Sequence, residues 1–85
     1  MTLSINPNQA DIFEKVRDIV ANKLSLDGSK ITPQSNFAND LGVDSLDAVE
    51  LVMALEEQFN IKVPEEVTEK ITTIQEAVDY INRHF

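Results

Sequence analysis

Apolar residues recur at helical spacing in three stretches of the chain. Ile12, Phe13, Val16, Ile19, Val20 and Leu24 follow an i, i+3, i+4 rhythm and predict a first amphipathic helix. Asn6 suits its N-cap and Pro7 its first helical position. Gly28 and Pro33 then interrupt any helix, so residues 25–43 read as a long loop. Loops of that length are uncommon in small domains and are often functional. Leu26, Ile31, Phe37 and Leu41 are expected to pin it. A second helix is predicted from Asp44 or Ser45 to Phe59, with Asp44 as N-cap and Asp47 in the first turn, where the helix dipole favours negative charge. Its apolar set is Leu46, Val49, Leu51, Val52, Met53, Leu55 and Phe59, wider than one buried stripe requires. After Pro64 a short turn is expected through Glu65 to Glu69. The last helix opens on Thr73 and Glu76 as a capping box and buries Ile74, Ala77, Val78 and Ile81.

No strand pattern competes with these helices. The expected fold is all-α: a small four-helix bundle with a long loop between helices 1 and 2 and a short third helix. At 85 residues the chain makes a single domain, residues 1–85, with residues 1–5 the segment expected to fray. It holds no cysteine, and its one histidine is His84, so thiolate chemistry is absent and general-base catalysis has almost nothing to work with. A stand-alone enzyme is therefore not expected. His84 is expected to hang in solvent or to cap the last carbonyls. No apolar run approaches the roughly 20 residues of a membrane span. The chain starts at Met1 with no basic-then-apolar leader, which points to the cytoplasm of a bacterium, with a processed organellar protein as the alternative.

Charge sharpens the picture. The net charge is −8, from 15 acids and 7 bases. Residues 1–39 hold four of each and residues 70–85 two of each, so nine acids lie between Asp40 and Glu69 against the single base Lys62. Nucleic acid is an unsuitable ligand for such a field, which instead attracts basic surfaces and speeds encounter with them. A solvated face that merely keeps the protein dispersed is the plainer alternative. Repulsion within the cluster predicts stability that rises with salt, and further with a divalent ion held weakly near Asp40, Asp44 and Asp47.

The segment Asp40-Leu-Gly-Val-Asp-Ser-Leu-Asp47 places a serine hydroxyl where a loop meets a helix. Capping alone explains most serines at such junctions. The functional reading is a hydroxyl displayed for modification, since a helix N-terminus tolerates a phosphate ester. Other chemistries fail on pattern. The acids do not alternate as an EF-hand requires, Ser45 lacks the glycines of a hydrolase elbow, and Gly28 and Gly42, the only glycines, make no phosphate-cradling loop.

Residues 37–85 closely resemble the acyl carrier proteins of type II fatty-acid synthesis. The run Asp44-Ser-Leu-Asp-Ala-Val-Glu-Leu-Val-Met-Ala-Leu-Glu-Glu-Gln-Phe59 is similar to their second helix nearly residue for residue. Pro64-Glu-Glu and Glu69-Lys-Ile-Thr-Thr73 resemble their short third helix and the start of the fourth. The tripeptide Asp-Ser-Leu is weak alone and specific in this setting. Lys62 and a longer N-terminus depart from the pattern without touching Ser45.

The resemblance implies a carrier, not a catalyst. Ser45 would hold 4′-phosphopantetheine, transferred from coenzyme A by a Mg²⁺-dependent phosphopantetheinyl transferase, making the chain a phosphoprotein. Acyl groups would ride on its thiol to acyltransferases and fatty-acid synthesis enzymes with basic docking patches. The docking face would comprise Asp44, Leu46, Asp47, Val49, Glu50, Met53, Glu56, Glu57, Glu65 and Glu66. Set against a plain core role, the docking implied by the resemblance is favoured for Met53, and the two are even for Leu46 and Val49. The acyl chain would fold back into a cleft lined by Phe37, Val52, Leu55, Phe59, Val63, Ile71, Ala77 and Tyr80. The same resemblance implies a monomer that neither binds nucleic acid nor inserts into membranes. A carrier domain of polyketide or peptide synthesis, an acidic module that is never modified, and a Ca²⁺-responsive protein are the alternatives.

Overall fold

The computed structural model describes residues 9–84. Helix α1 (Gln9–Leu24) buries Ile12, Val16 and Val20 along one line of i, i+4 neighbours, with Phe13, Ile19 and Leu24 half-buried beside them. The Asn6–Pro7 start expected for this helix lies outside the described residues. At its C-terminal end Ser25 turns left-handed at φ 57°, and the Leu26 N–H reaches back to the Ala21 carbonyl at 2.9 Å. This is a Schellman closure made without the usual glycine.

The long loop is present and carries its own order. Gly28–Lys30 forms one 3₁₀ turn, capped by the Asp27 carboxylate, which accepts the Ser29 N–H at 2.9 Å. Ile31 is buried, and Phe37 and Leu41 are half-buried, as expected of residues that pin the segment. Leu26 is not: it is 38% exposed and contributes through its backbone bond instead. The loop backbone is stitched to the start of the last helix. Ile74 N–H donates to the Ser35 carbonyl at 3.1 Å, Gln75 N–H to Pro33 at 2.8 Å, and Phe37 N–H to Thr72 at 2.9 Å. An isolated bridge between Asn36 and Thr73 is the only β pairing among the described residues. Asn36 then folds residues 36–41 into a tight turn, its Oδ1 accepting the N–H groups of Ala38 and Asn39.

Helix α2 (Ser45–Phe59) starts as predicted, with the Asp44 side chain accepting the Asp47 N–H at 2.9 Å. It ends where Asn60 goes left-handed at φ 55°. The short third helix expected after Pro64 is present as α3 (Glu65–Lys70) and buries no residue fully. Helix α4 (Ile74–His84) opens on a reciprocal capping box: Thr73 N–H donates to Glu76 Oε1, and Glu76 N–H donates to Thr73 Oγ1, both at 3.2 Å. Thr72 adds its own N–H and hydroxyl to the same carboxylate oxygen. Its predicted inner residues Ile74, Ala77, Val78 and Ile81 are all buried. The core forms where α1 packs on α4 and α2, from Ile12, Val16, Val20, Leu51, Leu55, Phe59, Ile74, Val78 and Ile81.

Candidate functional site: a helix-start serine beside an apolar cavity

Local chemistry places Ser45. Gly42 adopts φ +69°, a conformation that glycine takes without strain, and redirects the chain out of the 36–41 turn. Val43 N–H donates to the Phe37 carbonyl at 2.8 Å, which anchors the approach to the helix. Asp44 caps α2, and Ser45 follows as its first residue, exposed to solvent. Its hydroxyl therefore sits at the positive end of a 15-residue helix whose first turn has N–H groups to spare.

Behind this junction lies a cavity of about 90 Å³. Its lining comes from Phe37 and Val43 of the loop, Ala48, Leu51, Val52 and Leu55 of α2, Val63, Thr68 and Ile71 around α3, and Ala77, Tyr80 and Ile81 of α4. Val43 precedes Ser45 by two residues and Ala48 follows it by three, so lining residues flank the serine in sequence on both sides. Seven of the eight residues expected to line a cleft do so. The exception is Phe59, which is buried in the core with Leu51 and Leu55. Leu51 and Leu55 border both core and cavity, whereas Phe59, one turn further toward the C-terminal end of α2, meets the core alone. Ala48 was missed although it lies four residues before Val52 and seven before Leu55, a spacing that places it on the cavity face of the same helix.

The outer face of α2 is as informative. Leu46, Val49 and Met53 are 68%, 55% and 57% exposed. The core alternative for these three residues is therefore removed. Around them Asp44, Glu50, Glu57, Glu65 and Glu66 are exposed and Asp47 is half-buried. Glu56, expected on the same face, also bonds inward. It is half-buried, and its Oε2 accepts the Val63 N–H at 2.7 Å across the α2–α3 connection.

The three acids expected to attract a divalent ion are not brought together as a ligand set. Asp40 Oδ2 accepts the Asn36 N–H at 2.7 Å and Asp44 Oδ1 accepts the Asp47 N–H. Among the described residues no group of three or more His, Cys, Asp or Glu side chains is arranged to hold a metal. The carboxyls held below their ordinary values lie elsewhere. Glu76 is lowered first by the Thr72 N–H, then by the Thr72 hydroxyl and the Thr73 N–H; Asp27 is lowered by the N–H and hydroxyl of Ser29. His84 is exposed but not idle, its ring stacked on Tyr80 at 4.2 Å between centroids. The Tyr80 hydroxyl donates to the Lys62 carbonyl at 3.2 Å.

Comparison with known proteins gives this arrangement its context. A family model described as the phosphopantetheine attachment site matches residues 14–81. The acyl carrier protein of Guillardia theta is 54% identical over 76 residues, covering 89% of this chain and 94% of that protein. The chain belongs to the acyl carrier proteins. A second member, from Thermosynechococcus vestitus, is 53% identical over 88% of this chain and 93% of its own. The solved acyl carrier protein of Enterococcus faecalis superposes with a TM-score of 0.78 at 33% identity, over 93% of this chain and all of that one. Membership fixes the role as carriage of acyl chains and the prosthetic group as 4′-phosphopantetheine. No helix among the described residues is long and apolar enough to cross a membrane.

Proposed function

We propose that Ser45 is the attachment point of 4′-phosphopantetheine, that the adjoining cavity shelters the acyl chain, and that the outer face of α2 docks on partner enzymes. One observation carries the reading: an exposed hydroxyl begins α2 while apolar lining residues stand on both sides of it in sequence. The residues present fit the group. The free N–H groups and dipole of a helix start favour a phosphodiester, and the cavity beside it is apolar apart from Thr68 and the Tyr80 hydroxyl. In the transfer step Ser45 Oγ bonds to the β-phosphorus of coenzyme A and the bond to the departing 3′,5′-ADP oxygen breaks. The serine proton passes to a base of the transferase. Once attached, the arm supplies a thiol, which this cysteine-free chain lacks, for holding acyl groups as thioesters.

The exposed Leu46, Val49 and Met53 make the centre of the docking face, with Asp44, Asp47, Glu50, Glu57, Glu65 and Glu66 as its acidic surround. Opposite charge steers encounter and sets orientation more than affinity, as a shuttle between enzymes requires. Nine acids against one base over residues 40–69 favour basic patches on the phosphopantetheinyl transferase, the acyltransferases and the enzymes of fatty-acid synthesis. The same reading treats the 85 residues as one carrier domain, acting as a monomer in the cytoplasm with those enzymes. Intact mass before and after incubation with coenzyme A, Mg²⁺ and a broad-specificity phosphopantetheinyl transferase tests the attachment site. Wild type gains one phosphopantetheine and Ser45→Ala gains none. A Ser45→Ala protein that is still modified would move the site elsewhere, and an unmodified but folded wild type would leave an acidic interaction module.

A further inference from the structure

The cavity as it stands is small. Its volume of about 90 Å³ is well below the roughly 150 Å³ of an engineered apolar cavity that takes up benzene. A butyryl chain suits that space and a lauroyl chain does not. Close-packed interiors have no slack to give, so a long chain enters only if a wall moves. The walls are unequal. On α2 and α4 the lining includes Leu51, Leu55 and Ile81, residues that also belong to the core where α1 packs. Phe37 and Val43 close a third side and are tied by backbone bonds to Thr72 and to each other, whereas the fourth wall, Val63 to Ile71, belongs to a segment in which α3 buries no residue fully. Segments with little burial open most readily.

Two hydrogen bonds hold the leading edge of that wall at consecutive residues. Glu56 Oε2 accepts the Val63 N–H at 2.7 Å, and the Tyr80 hydroxyl donates to the Lys62 carbonyl at 3.2 Å. One bond comes from α2 and the other from α4, so together they tie residues 62 and 63, at the start of the α3 wall, to the two helices that line the cavity opposite it. Val63 and Tyr80 themselves line the cavity. We infer that Glu56, with Tyr80, is a latch that sets which acyl chains the cavity admits without rearrangement, and that Glu56 is not a docking residue. The inference rests on the sheltering role proposed for the cavity. Short chains leave the latch closed; long chains open it, and the free energy of opening is subtracted from what their burial contributes.

The neutral isostere separates the latch from charge. Glu56→Gln keeps a side-chain oxygen that accepts the Val63 N–H, whereas Glu56→Ala has none. Wild type, Glu56→Gln, Glu56→Ala and Tyr80→Phe would each be loaded with the unacylated arm, a butyryl chain or a lauroyl chain and melted. Unacylated Glu56→Ala should melt roughly 4–8 °C below wild type, because one hydrogen bond of ordinary net strength is lost from a small domain. Its gain on lauroyl loading should exceed the wild-type gain by about as much, since the latch no longer has to be opened. Butyryl gains should be alike in all four proteins. Tyr80→Phe should shift in the same sense as Glu56→Ala, and Glu56→Gln should follow wild type.

Equal lauroyl gains in Glu56→Ala, Tyr80→Phe and wild type would overturn the latch while leaving the sheltering reading intact. So would a Glu56→Gln protein that behaves as Glu56→Ala, because charge alone would then be responsible. A wild type whose melting ignores chain length would instead overturn the sheltering reading, and the latch with it.

Discussion

Truncating the outer stripe of α2 should damage docking and spare the fold. Leu46, Val49 and Met53 keep 68%, 55% and 57% of their surface in water. Full burial of such side chains is worth roughly 1.5–3 kcal/mol each, so about half to two-thirds of that remains available to a partner. Replacement by alanine leaves the Cβ in place and should therefore remove about 1 kcal/mol of docking free energy per residue. That is about a fivefold loss of kcat/KM for phosphopantetheine transfer at limiting carrier, for each single variant. Thermal stability should hardly respond, because alanine is the best helix former and little buried area is lost. Met53→Ala should melt within about 4 °C of wild type. Leu51→Ala is the internal control: only two positions away but 3% exposed, it should cost about 2–5 kcal/mol and melt far lower. The assay pairs transfer kinetics with melting curves on the same preparations. The reasoning is refuted if Met53→Ala melts like Leu51→Ala, or if all three outer variants accept the prosthetic group at the wild-type rate.

Three further perturbations follow from particular residues. Ser25→Gly should raise the melting temperature by about 2–6 °C, since a left-handed non-glycine residue costs about 1–2 kcal/mol and the freer unfolded chain offsets only part of that. Asp44→Ala should cost about 1 kcal/mol by uncapping α2 and should slow modification of Ser45, whereas Asp44→Asn, an equally good cap, should restore stability in thermal melts. Glu76 is held below its ordinary value of 4.5, chiefly by the Thr72 N–H. Its contribution is therefore complete well above pH 4.5 and lost as pH falls through the lower folded-state value. The difference in melting temperature between wild type and Glu76→Gln should be constant near neutrality and should close on acidification; a difference that persists in acid would show that the carboxylate charge is not what matters.

Much of the fold was legible because its signals are local. A helix cap needs only the residues within one turn, so Asp44 with Asp47 and Thr73 with Glu76 announced two helix starts to within one residue. The buried line Ile12, Val16, Val20 followed from spacing alone. What the sequence hid is what joins distant residues. Pro33 and Ser35 accept backbone bonds from Gln75 and Ile74, about forty positions on, and no pattern in either segment marks the pairing. Glu56 looked like one more acid on an acidic helix, because its partner Val63 lies beyond the left-handed turn at Asn60. The six residues of α3 are too few for periodicity to separate helix from turn. Phe59 was placed with the cleft because resemblance supplies a residue's neighbourhood without the small rotation that decides which side it faces.

Helix α2 explains why its own periodicity was ambiguous. A helix apolar over so much of its circumference is ordinarily enclosed by protein, yet this one borders the core on only part of its surface. Leu51, Leu55 and Phe59 meet the core, Ala48 and Val52 meet the cavity with no core role, and Leu46, Val49 and Met53 meet water. Only the first set is needed for folding. The second is incompletely packed until something apolar occupies the cavity, and the third is exposed until a surface covers it, so both are surplus to the fold. Clustered exposed apolar residues on a small monomer mark interaction sites when a polar rim surrounds them, and here the rim is acidic. Ser45 opens this helix, so under the proposed function one element presents the attachment point, one wall of the cargo space and the docking stripe in fixed relation. An enzyme that engaged the stripe would thereby be aligned with the serine, and would need no contact with the cargo to find it.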